Sequence, residues 1–158
     1  MTIKQQILNR YKQLLQDRID VFQDMISGLT EDAQNDAKGS AGDKHDPSDS
    51  ELAKQTALSM MHIEQEKLNY KLKEVLEQKK ILNTIDETIT HKVIALGSLV
   101  TVNEMMLFIS TALPKIILND KTIFAVSPQS PLGSKLMGNE VGFEFELQGK
   151  NYKIAFVE

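Results

Sequence analysis

Four carboxylates, Asp43, Asp46, Asp49 and Glu51, stand within a polar stretch that reads DAKGSAGDKHDPSDSE from residue 36 to residue 51. Acids at this density supply hard oxygen donors of the kind that magnesium takes, an ion that keeps several waters and needs only one or two protein carboxylates. The same acids also suit a solvated loop and the start of a following helix, where backbone N–H groups and the helix dipole favour negative charge. On the residues alone both readings stand. The spacing lacks the twelve-residue ligand pattern of an EF-hand. Other chemistry is thin. The chain has no cysteine, so it has no disulfide, no thiolate metal site and no cysteine nucleophile. His45 and His62 are far apart and form no His-x-x-x-His pair. There is no phosphate loop of the G-x-x-x-x-G-K-[ST] type and no strand–turn–helix nucleophile motif.

The elements that would position the acids follow from periodicity. From residue 2 to about 29 the pattern is helical. A heptad seam runs through Leu8, Tyr11, Leu15, Arg18, Phe22, Met25 and Leu29, with Arg18 as its one break. A second helical run extends from about residue 49 to 87, with a seam of Leu58, Met61, Gln65, Leu68, Leu72, Val75, Lys79 and Leu82. Two helices of similar length joined by a polar turn fold back as an antiparallel hairpin. About thirty residues make a rod of roughly 45 Å, which carries the acidic loop at its tip. On the second helix Lys67, Lys71, Lys73, Lys79 and Lys80 interleave with Glu64, Glu66, Glu74 and Glu77, the pattern of a salt-bridge-laced solvent face.

From His91 onward the period shortens. VIALGSLVTVN, MMLFIST, PKIILN and KTIFAVS read as strands separated by Gly, Asn, Pro and Asp. Asn119-Asp120 marks a tight turn, and Gly149 marks a hairpin between residues 143–147 and 152–157. Residues 130–137 read as one short helix, with Ser130 as N-cap, Pro131 at its first position and Gly138 closing it. The expected fold class is therefore α+β. A coiled-coil hairpin over residues 1–90 precedes a small antiparallel β-sheet domain with one short helix over residues 91–158.

Composition sets the outer limits. The chain has 158 residues, a formal net charge of −4 and 6% aromatic residues with no tryptophan. An acidic balance argues against broad nucleic-acid binding, which needs a basic surface. No apolar run approaches the roughly 18 residues that cross a membrane. The stretch MTIKQQILNRYKQ lacks the apolar centre of a signal peptide. The expectation is a soluble, cytoplasmic protein without a membrane partner.

The segment Ser130-Pro131-Leu132-Gly133, with Leu136, Gly138 and Gly142 behind it, resembles the C-terminal segment of the bacterial Gre transcription elongation factors (GreA/GreB). The rod–loop–head layout resembles theirs over nearly the whole chain, whereas sequence similarity is clear from residue 125 to residue 157. The resemblance implies an FKBP-like head that docks on RNA polymerase through residues Gln129, Ser130, Pro131, Leu132 and Gly133. It also implies a hairpin that enters the polymerase secondary channel. The family carries a D-x-x-E acidic pair at the tip, and here Asp43 and Asp46 match it in GDKHDPSDSE. The resemblance assigns these two the task of completing a magnesium site in the polymerase, so that the polymerase cleaves backtracked RNA. The chain would then be no enzyme itself and would bring no cofactor of its own. The magnesium is the polymerase's, contact with nascent RNA is indirect, and the protein acts as a monomer.

Departures from the family pattern open further readings. Asp46 stands where the family has Glu, Pro47 where it has Asn, Gln129 where it has an acid before Ser-Pro, and Phe143 where an acid follows Gly142. A shorter acid at the tip alters metal geometry, so a Gre-fold inhibitor or regulator of the polymerase is one alternative. A coiled-coil adaptor without polymerase activity is another. A prolyl isomerase is set aside, because a fold does not carry its function.

Overall fold

The computed structural model describes the backbone of residues 2–39 and 47–158, with side chains described for residues 2–29 and 52–158. Two long helices, α1 (Ile3–Gly39) and α2 (Pro47–Asn83), are followed by strands β1 (Leu99–Val102), β2 (Met105–Ile109), β3 (Ile116–Leu118) and β4 (Lys121–Val126). Helix α3 (Pro131–Leu136) and strands β5 (Glu144–Leu147) and β6 (Lys150–Val157) complete the chain. The fold class is α+β, as the change of period implied.

The chain forms two compact units: one of residues 14–77, the other of residues 1–13 with residues 78–158. The sequence drew its boundary at residue 90. In the packing, the unit that holds the sheet also takes in the first turns of α1 and the last turns of α2.

Within the unit of residues 14–77, α1 and α2 form an antiparallel pair that buries Leu15, Ile19, Leu68 and Val75. The register corrects one expectation. Ile19 is 3% exposed, while Arg18 lies on the exposed side. The buried positions Leu8, Tyr11, Leu15 and Ile19 are spaced three, four and four, an eleven-residue stretch rather than a heptad. A straight helix turns once per 3.6 residues, so one longer step realigns the stripe and carries the arginine out to solvent. Met25 and Leu58, also placed in the seams, are 49% and 45% exposed.

In the other unit the six strands run in the order β3-β4-β2-β1-β6-β5. Every pairing is antiparallel except β2–β4, which is parallel, with Met106 opposite Ile123 and Ile109 opposite Val126. Strand alternation sorts the side chains onto two faces. Val100, Val102, Leu107, Ile109, Ile154 and Val157 form one buried cluster, which Leu136 of α3 and Ile94 complete. The opposite face carries Leu99 and Phe108, direct cross-strand partners. The start of α1 covers it. Tyr11 is fully buried and stacks on Phe108 with ring centroids 6.3 Å apart. Its hydroxyl donates to the Pro114 carbonyl at 2.9 Å. Without access to water the phenolate is disfavoured, which pushes the Tyr11 pKa up to about 12. From α2, Gln78 Nε2 donates to the Ala112 carbonyl at 3.0 Å.

Three hairpin turns use two left-handed residues each. They are Asn103-Glu104 (φ 47° and 69°), Asn119-Asp120 (φ 51° and 63°) and Gln148-Gly149 (φ 52° and 78°). This backbone matches the twist of the flanking strands. Its second place favours glycine, and a side chain with a Cβ there costs about 1 kcal/mol. Only one of the three turns uses glycine there. The stretch VIALGS, expected as part of a strand, is a turn ahead of β1. Gly97 (φ 92°) donates its N–H to the Ile109 carbonyl at 2.7 Å, and a Cβ there would meet Ile85 Cγ2 at 2.9 Å.

Candidate functional site

The turn that leads into α3 contains five of the residues singled out from the sequence. Ser130 is the N-cap, in an extended conformation, with Pro131 at the first helical position. Its hydroxyl accepts the Gly133 N–H at 3.0 Å and donates to the Ser127 carbonyl at 2.7 Å. The Ser130 backbone N–H reaches the same carbonyl at 3.1 Å. Ser127 Oγ donates to Gln129 Oε1 at 2.6 Å and accepts from the Gln129 N–H at 3.2 Å. The hydroxyl of Ser130 thus satisfies one otherwise orphaned helix donor while tying the incoming chain down.

Gly133 is required for a steric reason. A Cβ on it would collide with the Ser127 carbonyl oxygen and come within 2.9 Å of Ser130 Oγ. Leu132 is half-buried against the core cluster, and Leu136 at its centre is 0% exposed. Gln129 and Pro131 remain on the surface. The helix closes as the sequence indicated: Gly138 has φ 80°, and its N–H donates to the Ile94 carbonyl at 2.9 Å. The motif therefore builds a rigid, doubly anchored turn that presents Gln129 and Pro131 outward.

Asp43 and Asp46, the tip pair, and Asp49 and Glu51 beside them lie outside the residues whose side chains are described. Among the described residues no group of three or more His, Asp or Glu side chains could hold a metal ion. No helix among them is long and apolar enough to cross a membrane.

A second cluster escaped the sequence reading. Lys4 is 5% exposed, and its ammonium donates to the Ile89 carbonyl at 2.8 Å. Burial pushes its pKa below the ordinary lysine value, while the nearby Glu158 acts in the opposite direction. His91 lies beside it. Its Nδ1 is buried with no hydrogen-bond partner among the described residues. Burial and the Lys4 charge hold this imidazole below the usual histidine range, against a contact with the Glu158 backbone that favours the charged form. One signal for Lys4 was present in the sequence. It precedes Ile7, Leu8 and Tyr11 by three, four and seven residues, so it falls on the apolar stripe of α1.

The sequence matches no family model and no curated protein. Among solved structures the chain is similar to the GreA factor homolog 1 (Gfh1) protein of Thermus thermophilus, at 16% identity and a TM-score of 0.33. That alignment covers 93% of this chain and 94% of the other. A second structure, of the transcription factor Gfh1, aligns at 15% identity and a TM-score of 0.33 over 92% of each chain. At such a TM-score the likeness carries no argument about what this chain does.

Proposed function

We propose that this chain is a Gre-type transcription factor that binds RNA polymerase, enters its secondary channel with the helical hairpin and promotes cleavage of backtracked RNA. The observation that carries the reading is the turn at residues 127–133. There the family-like residues Ser130, Pro131, Leu132 and Gly133 each have a distinct mechanical task. Gln129 and Pro131 on its outer side form the docking surface. Asp43 and Asp46 fall in sequence between the two 37-residue helices, where the resemblance places an acidic pair. They would offer carboxylate oxygens, the donor class that magnesium takes, to an ion held mainly by the polymerase. When bound, that ion supplies charge neutralisation at the phosphodiester. The chain's own share is to orient two acids and to hold the hairpin by the docking turn. It works in the cytoplasm as a monomer and needs no cofactor of its own.

A specific observation favours the adaptor alternative. Met60, Ile63 and Tyr70 on α2 are 65%, 53% and 76% exposed, an apolar surface that a partner helix would cover. One experiment separates the readings. A backtracked elongation complex from the cognate polymerase is incubated with wild-type protein and with Asp43→Asn/Asp46→Asn. Release of short 3′ RNA fragments by the wild type alone supports the cleavage factor. Binding that blocks cleavage or synthesis identifies an inhibitor. Absence of binding at micromolar protein refutes the polymerase reading and leaves the adaptor.

A further inference from the structure

The face of the sheet that α1 covers at one end is open at the other. There Leu99, Thr101, Met106 and Phe156 lie together on the floor of a groove of about 690 Å³, with Ile3 at its helical border. Cross-strand register puts these side chains on one face: Thr101 opposes Met106 on β2 and Phe156 on β6. Phe156 is 52% exposed and Phe124, also lining the groove, 36%, so two aromatic side chains present surface to water there.

The rim has a definite sign. Glu104, Asp120 and Glu158 supply three carboxylates against the ammonium of Lys121 on the rim, with the ammonium of Lys4 buried near Glu158. Two of these acids stand at the left-handed second place of a hairpin turn, with φ 69° at Glu104 and 63° at Asp120. Glycine is the favoured residue at that place, and the third such turn, away from the groove, uses it at Gly149. The acids thus sit in turns where they oppose folding, at the border of an exposed apolar floor.

We infer that this groove is a docking site for a basic amphipathic segment of another protein, which seats one large apolar side chain on Met106 and Phe156 while flanking lysines or arginines meet Glu104, Asp120 and Glu158. Charge complementarity selects this occupant. The rim repels nucleic acid and anionic lipid, and a polyanion could not approach the floor without crossing it. Two copies of this acidic chain placed groove to groove would oppose six carboxylates, two sets of the three described. The methionine on the floor adapts to different apolar anchors. The inference goes beyond the polymerase reading and does not rest on it, since the docking turn before α3 is a separate feature.

The test uses the full chain labelled at its methionine methyl groups and three synthetic 14-residue helical peptides. One has a Leu-Phe centre flanked by lysine and arginine, one has the same centre flanked by glutamate, and one has the basic flanks around a serine centre. The basic apolar peptide should shift the Met105 and Met106 methyl signals and leave those of Met60 and Met61 in place. The other two peptides should bind at least tenfold more weakly. Glu104→Gly/Asp120→Gly should raise the urea midpoint by relieving both turns, yet weaken the basic peptide about fivefold and reduce its salt dependence. A variant that gains stability and loses binding separates a docking role from a structural one. The inference is overturned if the acidic peptide shifts the same methyl groups equally, or if the shifts map elsewhere. It is also overturned if the variant binds as tightly as wild type, or if sedimentation shows a dimer that buries Met106.

Discussion

Gly133→Ala is the sharpest probe of the turn that leads into α3. The added methyl cannot fit while the Ser127 carbonyl stays in place, because that oxygen occupies the space the methyl would fill. The carbonyl must swing away. It then gives up the bonds from Ser130 Oγ (2.7 Å) and from the Ser130 backbone N–H (3.1 Å). The Ser130 hydroxyl loses its aim at the Gly133 N–H, now 3.0 Å away. Three hydrogen bonds at about 1 kcal/mol net each make a loss of ~3 kcal/mol. Alanine returns about 1 kcal/mol through its better helix propensity. The expected destabilisation is about 2 kcal/mol, or a urea midpoint lowered by roughly 1 M for a chain of this size. Ser134→Ala, on the exposed side of the same helix, should stay within about 0.5 kcal/mol of wild type. A double-mutant cycle adds a second check. Ser130→Ala alone should cost about 1 kcal/mol. In the Gly133→Ala background it should cost little, because the cap is already lost. The reasoning is refuted if Gly133→Ala melts within 0.5 kcal/mol of wild type, or if the cost of Ser130→Ala is the same in both backgrounds.

Two further outcomes follow from the same structure. Ile19→Ala should destabilise the hairpin by about 2–4 kcal/mol, whereas Arg18→Ala should change urea stability by less than about 0.5 kcal/mol. The reverse order would restore the heptad register. His91 is held below its ordinary pKa in the folded chain, so the unfolded chain binds its proton first as pH falls. Its contribution is complete above the unfolded value near 6.5 and drains away as pH falls through the lower folded value. The urea midpoint measured from pH 8 to pH 5 should therefore drop, and His91→Gln should flatten that drop. An unchanged slope in the variant would assign the effect to other groups.

Local chemistry was the legible part of this chain. Ser-Pro-Leu-Gly announced a capped helix because Ser130 and Gly133 act on atoms within six positions of themselves. The Asn-Asp turn announced its hairpin for the same reason. Arg18 was misplaced because a heptad template assumes 3.5 residues per turn, and the drift of a real helix over three turns is enough to exchange it with Ile19. The parallel β2–β4 pair was invisible to alternation, which reports burial and not partner. Lys4 and the groove at Met106 and Phe156 were missed because both depend on which segments meet across the fold. The candidate site divides along the same line: the cap and first turn of α3 were readable, the anchoring role of Ser127 was not, and the acidic pair could be placed only by analogy.

The docking of Tyr11 onto Phe108 has a consequence for synthesis. Translation runs from the N-terminus, so Tyr11 is made well before Phe108 and the Pro114 carbonyl that hold it in the fold. The carbonyl that Tyr11 binds is 103 positions downstream. A loop that large makes its closure a late event, entropically slow compared with zipping the neighbouring helices together. Until β2 and the Pro114 segment emerge, the Tyr11 ring at the start of the newborn helix lacks its aromatic and carbonyl partners, and exposed apolar surface of that kind invites chaperones and proteases. A nascent chain halted before residue 108 would leave Tyr11 without its stacking partner.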